Sequence, residues 1–318
     1  MVFLAGIDEA GYGPFVGPLI NGYAMFRVPD FNTDLWQVLD DSCAKKPART
    51  DQQRLWVNDS KKVHQGPRGR QRLERTVAAF RQIMSNCSRL DSWLTDKPAP
   101  TAAALHAAPW FKEISTEFCP STTIERSQLD ASNVQRQLEK SGANLISFGA
   151  RAVPAIEYNS MLKKLGNKGS LNFTIAMQCA RHFLEASGDS PLRIELDQHG
   201  GRSDYRNLLK SALNPQSIEV HGENESGSTY SLQYANRTVQ IRFSRNSDQN
   251  HFAVALASLA AKQSRERMMD LFNAYWTGLF PELKPTKGYG VDGKRWLAEI
   301  EPHLDEIKLN RDCLRRKL

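Results

Sequence analysis

The order of apolar runs predicts an α/β fold, with a mixed β-sheet flanked by helices. Three observations carry that expectation. Two strand-like runs open the chain, at 2–8 (VFLAGID) and 19–28 (LINGYAMFRV). Helical and strand periodicities then alternate up to a clean strand from Leu192 to Asp197. A long helical run rich in small residues, FAVALASLAAKQSRERMMDLF, follows within about 249–274.

The elements follow in chain order. The first two strands are joined by a Gly/Pro-rich turn, GYGPFVGP. After a loop, Asn58-Asp59-Ser60-Lys61-Lys62 leads into a helix at about 70–86, where Leu73, Val77, Phe80 and Ile83 share one face. Residues 145–153 (LISFGARAV) read as a strand, and 171–186 as a helix whose stripe of Phe173, Met177 and Ala180 is extended by Phe183 and Leu184. In the strand from Leu192, Ile194 and Leu196 face one way and Glu195 and Asp197 the other. A helix near 203–213 precedes three β-like runs at 217–222, 228–234 and 237–244. The small-residue helix comes next, then a last helix near 293–300 and a basic tail. The segment 89–143 is Pro/Ser/Thr-rich with one amphipathic stretch at about 131–140, and is expected to be a mostly helical insertion. Residues 214–244 are expected to form an extra β-hairpin insertion, and 275–318 a C-terminal helical segment.

Composition narrows the class. The 318 residues are 40% hydrophobic and 24% charged, an ordinary globular balance that excludes a disordered chain. No window approaches the ~18 apolar residues that span a bilayer. The N-terminal apolar run stops at Asp8 and lacks a basic leader, so a signal peptide is not expected. Cys43, Cys87, Cys119, Cys179 and Cys313 are scattered, with no C-x-x-C pair, which fits a reducing cytoplasm rather than a disulfide framework or zinc site. The net charge is +7 and the pI about 9.1. The cations cluster at Lys61, Lys62, Arg68, Arg70, Arg72 and Arg75, and again at Arg311, Arg315, Arg316 and Lys317. Such clusters attract a polyanion by counterion release.

Acids stand at three telling places. Asp8-Glu9 lies where a buried strand meets a glycine turn, and Gly6, Gly11 and Gly13 leave room for a ligand to approach. Asp197 ends its strand, the end at which open α/β sheets bind ligands, although an Asx-turn would explain it equally well. Asp248 precedes the small-residue helix, where an N-cap is by itself the better explanation. Ala253, Ala257, Ala260 and Ala261 would let that helix lie close to the sheet and deliver Asp248 to its edge. Four such acids cannot converge bare, since each close like-charge pair costs roughly 1–4 kcal/mol between aqueous and ~20 effective dielectric. All-oxygen ligands select hard cations, Mg²⁺ or Mn²⁺. Two such ions about 4 Å apart would serve in-line phosphodiester attack. His199 and His251 lie near the acids in sequence, but incidental surface positions explain them better than proton shuttling.

At this point the sequence resembles ribonuclease HII, the type 2 ribonuclease H family. Gly6-Ile7-Asp8-Glu9-Ala10-Gly11-Tyr12-Gly13-Pro14 with Gly17-Pro18 is similar to the family's opening motif, and Asp59-Ser60-Lys61-Lys62 to its DSKK element. Leu196-Asp197, Asp248 ahead of Leu256-Ala257-Ser258-Leu259-Ala260-Ala261-Lys262, and Lys287-Gly288-Tyr289-Gly290 follow in the family's order. The match covers about two-thirds of the chain and makes it an enlarged, divergent member, with 1–318 as one ribonuclease H-like catalytic domain and 275–318 binding substrate. The resemblance implies that Asp8, Glu9, Asp197 and Asp248 are the metal-binding catalytic set. It implies that Gly11, Tyr12 and Gly13 meet a ribonucleotide 2′-hydroxyl, that Ser60 binds substrate, that Lys61 and Lys62 hold phosphates, and that Tyr289 packs on a sugar. The implied activity is hydrolysis of the RNA strand of RNA–DNA hybrids, or at ribonucleotides in duplex DNA, leaving 3′-hydroxyl and 5′-phosphate ends, by a cytoplasmic monomer. Tyr12 replaces the family's usual Arg, which bears on single-ribonucleotide preference. The alternatives are a nuclease of the same fold with a different nucleic-acid substrate, and a non-catalytic hybrid-binding protein.

Overall fold

In the computed structural model, the described residues are 1–48, 50–85, 88–95, 98–100, 102–112, 114–198 and 202–317. β1 (Val2–Ala10) turns back into β2 (Leu19–Val28). A short helix α1 (Leu35–Val38), the two-residue strands β3 (Cys43–Ala44) and β4 (Leu55–Trp56), and α2 (Ser60–Val63) lead into α3 (Gly69–Met84). Between 89 and 143 lie α4 (Leu90–Thr95), α5 (Ala102–His106), a 3-10 turn at Pro109–Phe111 and α6 (Ile124–Lys140). Next come β5 (Asn144–Val153), α7 (Ala155–Leu165), α8 (Lys168–Ala186), β6 (Leu192–Asp197) and α9 (Arg206–Leu213). Strands β7 (Ser217–Asn224), β8 (Gly227–Gln233) and β9 (Thr238–Ser244) precede α10 (Ser247–Asn250) and the long α11 (Phe252–Leu279). The chain ends with α12 (Gly290–Ile300), α13 (Leu304–Ile307) and α14 (Arg311–Leu314).

One seven-stranded sheet organises these elements in the order β5-β2-β1-β6-β9-β8-β7. β2 is antiparallel to both β1 and β5, while β1, β6 and β9 run parallel. The fold is therefore the mixed α/β architecture that the order of runs predicts. Alternation sets the two faces. Phe3, Ala5 and Ile7 of β1, Ile194 and Leu196 of β6, and Ile241 and Phe243 of β9 pack under α8 and α9. The other face lies under α11 and α3, with Ala24, Phe26, Phe80, Phe252 and Leu256 in its core. No helix among the described residues is long and apolar enough to cross a membrane.

Several expectations shift. β1 runs two residues past the expected 2–8, because Glu9 and Ala10 continue the ladder opposite Asn21 and Ile20. β9 is not part of an inserted hairpin: it pairs parallel with β6 along Leu192–Asp197, and the β7–β8 hairpin extends the sheet from it. Val239, Ile241 and Phe243 alternate as core residues, which marks a strand but not its partner. Glu195 faces away from Ile194 as expected, and that face is covered too, so Glu195 is only 4% exposed. Helix α7 was not expected. Pro154 precedes it, Gly166 (φ 80°) ends it, and Tyr158 anchors it in a small core with Leu19 and Leu171.

Candidate active site at the sheet edge

The site grows from two adjacent strand ends. β1 and β6 are paired up to Ile7 and Leu196, so Asp8 and Asp197 emerge side by side at the carboxyl ends of parallel strands. The helix above comes close because two glycines permit it. A Cβ on Gly6 would lie 2.2 Å from the Val254 amide nitrogen, and one on Gly22 only 1.9 Å from the Ala257 carbonyl oxygen. Ala253, Ala257, Ala260 and Ala261 are all buried in this contact. The small residues of β1, β2 and α11 thus form one seam, and the seam fixes what stands at its end.

That seam brings Ser258 to the acids. Its hydroxyl donates to Asp8 and accepts from the Ser60 N–H at 3.3 Å, tying β1, α11 and α2 together. Asp248 sits in the short α10, begun by Asn246 in a left-handed conformation (φ 55°), and His251 rather than Asp248 is the N-cap of α11. The capping explanation of Asp248 is thereby corrected. Asp197 accepts the Ser247 N–H at 3.1 Å, so its carboxylate anchors the α10 turn. On the other side, Asn172 of α8 is buried, donates to Glu9, and accepts from Asn21 Nδ2 at 3.3 Å.

The acids influence one another. Burial raises the Asp8 carboxyl well above the ordinary range, and the charges of Glu9, Asp248 and Asp197 add to that. Glu9 is raised by burial and, more weakly, by Asp197, with the Asn172 hydrogen bond and Lys61 opposing. Burial also raises Asp197 against the backbone N–H groups of Ser247, Gln198 and Asn246. Asp248 is pushed up to about 6 by burial, then by Asp59 and Asp197. Such groups titrate as a set, and the set is short of positive charge. Lys61 pulls down Glu9, Asp197 and Asp248, and Lys62 adds to it at Asp248. The four carboxylates are thus neighbours, but no three His, Cys, Asp or Glu side chains among the described residues are gathered tightly enough to enclose a metal ion as they stand. The donor set is all carboxylate oxygen, which fits Mg²⁺ or Mn²⁺ in kind.

The remaining expected residues fall around this edge. Gly11 needs to be glycine, since its φ is 85° and a Cβ would meet Arg265 Nε at 2.5 Å and the Pro18 carbonyl at 2.7 Å. Gly13 has open space around it. Tyr12 is partly exposed, and burial first and the Glu9 charge second raise its hydroxyl pKa, placing the ring beside the acids. Tyr289 is exposed as well, with the Arg265 guanidinium 4.9 Å from its ring centroid. The two loops are stitched together. Phe15 N–H donates to Gly288 O at 2.8 Å, and Arg265 donates to Val16 O at 3.2 Å and Lys287 O at 3.0 Å. Lys61 and Lys62 are exposed on α2, whereas Ser60 is buried beneath them with its N–H occupied.

Sequence reasoning missed four residues here. Asp59 caps α2, accepting the Lys61 N–H at 2.8 Å, and is also a fifth acid acting on Asp248. Its place in a capping position hid that second role. Ser258 and Asn172 are buried polar groups whose helical spacing gives no hint of their partners. His251 reads as incidental in the sequence, yet its Nε2 is 3.6 Å from Glu195, and burial holds its pKa down to about 4. His199, Gly200 and Gly201 lie outside the described residues.

No family model matches the chain, and no curated protein does. Solved structures of similar chain path include the complex of PCNA and ribonuclease HII from Archaeoglobus fulgidus. There the identity is 12%, the coverage 99% of this chain and 96% of that one, and the TM-score 0.41. Ribonuclease H2 from Pyrococcus horikoshii is 15% identical over 98% and 92% of the two chains, with a TM-score of 0.40. Bst-RNase HIII in complex with Mn²⁺ is 11% identical over 99% and 66%, with a TM-score of 0.46.

Proposed function

We propose that the chain is a metal-dependent endonuclease that hydrolyses the RNA strand of RNA–DNA hybrids, or cuts at ribonucleotides in duplex DNA, leaving 3′-hydroxyl and 5′-phosphate ends. The observation that carries this reading is the meeting of Asp8, Glu9, Asp197 and Asp248 from three separate elements at one sheet edge, where Lys61 acts on Glu9, Asp197 and Asp248. A purely structural acid cluster has no reason to form where Asp8, Glu9 and Asp248 are each raised by a neighbouring acid.

In this reading Asp8, Glu9, Asp197 and Asp248 hold Mg²⁺ or Mn²⁺. When bound, the ions supply a nucleophilic water near neutral pH and charge stabilisation for in-line displacement at phosphorus. The protein's own groups do the positioning. Ser258 keeps one lone pair of Asp8 engaged and so orients its carboxylate. The α10 turn, anchored on Asp197, fixes Asp248. Asn172 holds Glu9 from the opposite face. Lys61 and Lys62, exposed on α2, meet the phosphates entering the edge. Gly13, with open space around it, admits a backbone close enough to contact a 2′-hydroxyl, the group that separates RNA from DNA, while Gly11 shapes the turn against Arg265.

The test is a panel of end-labelled duplexes carrying no, one, several or all ribonucleotides in one strand, incubated with Mg²⁺ or Mn²⁺. Cuts confined to ribonucleotide positions, with 3′-hydroxyl ends, support the reading. Binding without cleavage in either metal would instead identify a hybrid-binding protein.

A further inference from the structure

An open groove of about 1220 Å³ runs beside the acidic edge, between the β3–β4 strands and the α2–α3 turn. Its lining includes seven cationic side chains and one carboxylate, Asp51. The neutralisation is incomplete. Asp51 is taken up by Arg54, whose Nε lies 2.6 Å from Oδ2. Arg75 and Arg126 share the single carboxylate of Asp130, at 2.7 and 3.1 Å. Among the described residues, Arg72 donates to the backbone carbonyls of Val63, at 3.2 Å, and Gln65. Lys46 and Arg68 are exposed, and their side chains have no hydrogen-bond or ionic partner among the described residues. A groove with this excess fits a polyanion.

Three features narrow the polyanion. The groove is larger than the roughly 300–1,000 Å³ that enclose a small ligand. Its wall carries an aromatic side chain, Trp56, which is half-buried with the Arg72 guanidinium 4.7 Å from the ring centroid. Basic grooves with stacking aromatics suit single-stranded nucleic acid, whose bases are free to stack. Finally, the groove is linked to the site already described through Lys62. Lys62 is part of its lining, and Lys62 Nζ donates to Gln249 Oε1 at 2.9 Å, one residue from Asp248.

We propose that this groove receives an unpaired strand of nucleic acid continuing from the duplex held at the acidic edge, so that the preferred substrate is a duplex with a single-stranded tail. The proposal rests on the nuclease reading for its duplex, and on the groove alone for its tail. The experiment measures anisotropy of labelled RNA–DNA hybrids, blunt or with a tail of about ten nucleotides on either end, a length within the ~4–16-nucleotide range of single-strand sites. It uses the full chain and the double variant Lys46→Glu/Arg68→Glu, across a salt series. The tail should tighten wild-type binding about ten-fold and steepen the salt dependence by about 2 units in log–log slope, and the double variant should lose both while binding blunt hybrid as wild type does. Equal wild-type affinity for tailed and blunt hybrids would overturn the proposal, as would a tail gain that survives the double variant. Competition by polyglutamate as effective as that of an oligonucleotide of equal charge would overturn the nucleic-acid assignment. Failure of the two readings separates cleanly. A tail gain with no cleavage of any ribonucleotide duplex supports the groove and sinks the nuclease. Cleavage without a tail gain does the reverse.

Discussion

Two parts of the molecule bury carboxylates, and they treat them in opposite ways. On the helical flank, Glu74 is fully buried and meets Arg70 Nε at 2.8 Å and the Ser121 N–H at 2.7 Å. Asp130, 3% exposed, is gripped by Arg75 and Arg126. At the sheet edge, Asp8 meets Glu9, Asp248 and Asp197, and a serine hydroxyl is its favourable hydrogen bond. The first arrangement is what a buried charge requires if it serves only the fold. The second leaves charge uncompensated at the end of a rigid seam, the arrangement expected where a cation is to be bound. The contrast teaches that the partner of a buried acid, more than its burial, separates structural from candidate catalytic groups.

The largest expected effect breaks that contrast on the catalytic side. Asp8→Asn should lower the cleavage rate at least about a thousand-fold, equivalent to about 4 kcal/mol of barrier. Thermal stability at pH 8 should be unchanged or slightly higher, because a like charge has been removed. A parallel loss of melting temperature would mark Asp8 as structural. Gly22→Ala tests the seam instead. A Cβ 1.9 Å from a backbone oxygen forces α11 away, and a loss of about 3 kcal/mol or more is expected in urea unfolding. Asp130→Asn should cost less, about 2 kcal/mol, since Arg126 is 40% exposed and can turn to water. Its cleavage rate per folded molecule should match wild type.

The pH dependence sharpens the comparison further. Asp8, Glu9, Asp197 and Asp248 all have folded-state pKa values raised above their unfolded values, Asp248 to about 6. Their contribution is therefore full at low pH and is lost as pH rises through the folded values. In chelator, melting temperature should fall between about pH 5 and 8, allowing for the similar behaviour of Glu195, pushed up to about 7 by burial. Adding Mn²⁺ should restore stability at pH 8 and do little at pH 5, because protonated carboxyls do not bind the ion. The same metal effect at both values would place binding elsewhere. The smallest effect belongs to Lys61 and Lys62. Changing both to Ala should flatten the salt dependence of hybrid binding by about 1 to 2 units of slope, read from an anisotropy titration.

Much of this was legible in the chain. Strand alternation located β2 and β6 to the residue, and the alanines at 253, 257, 260 and 261 announced the close approach of α11. What periodicity does not carry is partnership. The run at 237–244 reads as a strand, but nothing in it says that it has β6 as a parallel neighbour on the side away from β8. Glu195 looks like an outward residue until the second face of the sheet is known to be covered. Asp59 looks like a cap because it is one, and its effect on Asp248 depends on how α2 docks. Ser258 and Asn172 orient the acids through contacts more than a hundred residues distant in sequence, which no local pattern records.

The most direct test of the central claim is a titration of Mn²⁺ followed by the loss of its free-ion paramagnetic resonance signal, for wild type and for Asp8→Asn, Asp197→Asn and Asp130→Asn. Wild type and Asp130→Asn should take up Mn²⁺ with matching affinity, and both sheet-edge variants should lose that uptake. Equal binding in all four proteins would contradict the assignment of the metal to the strand ends of β1 and β6.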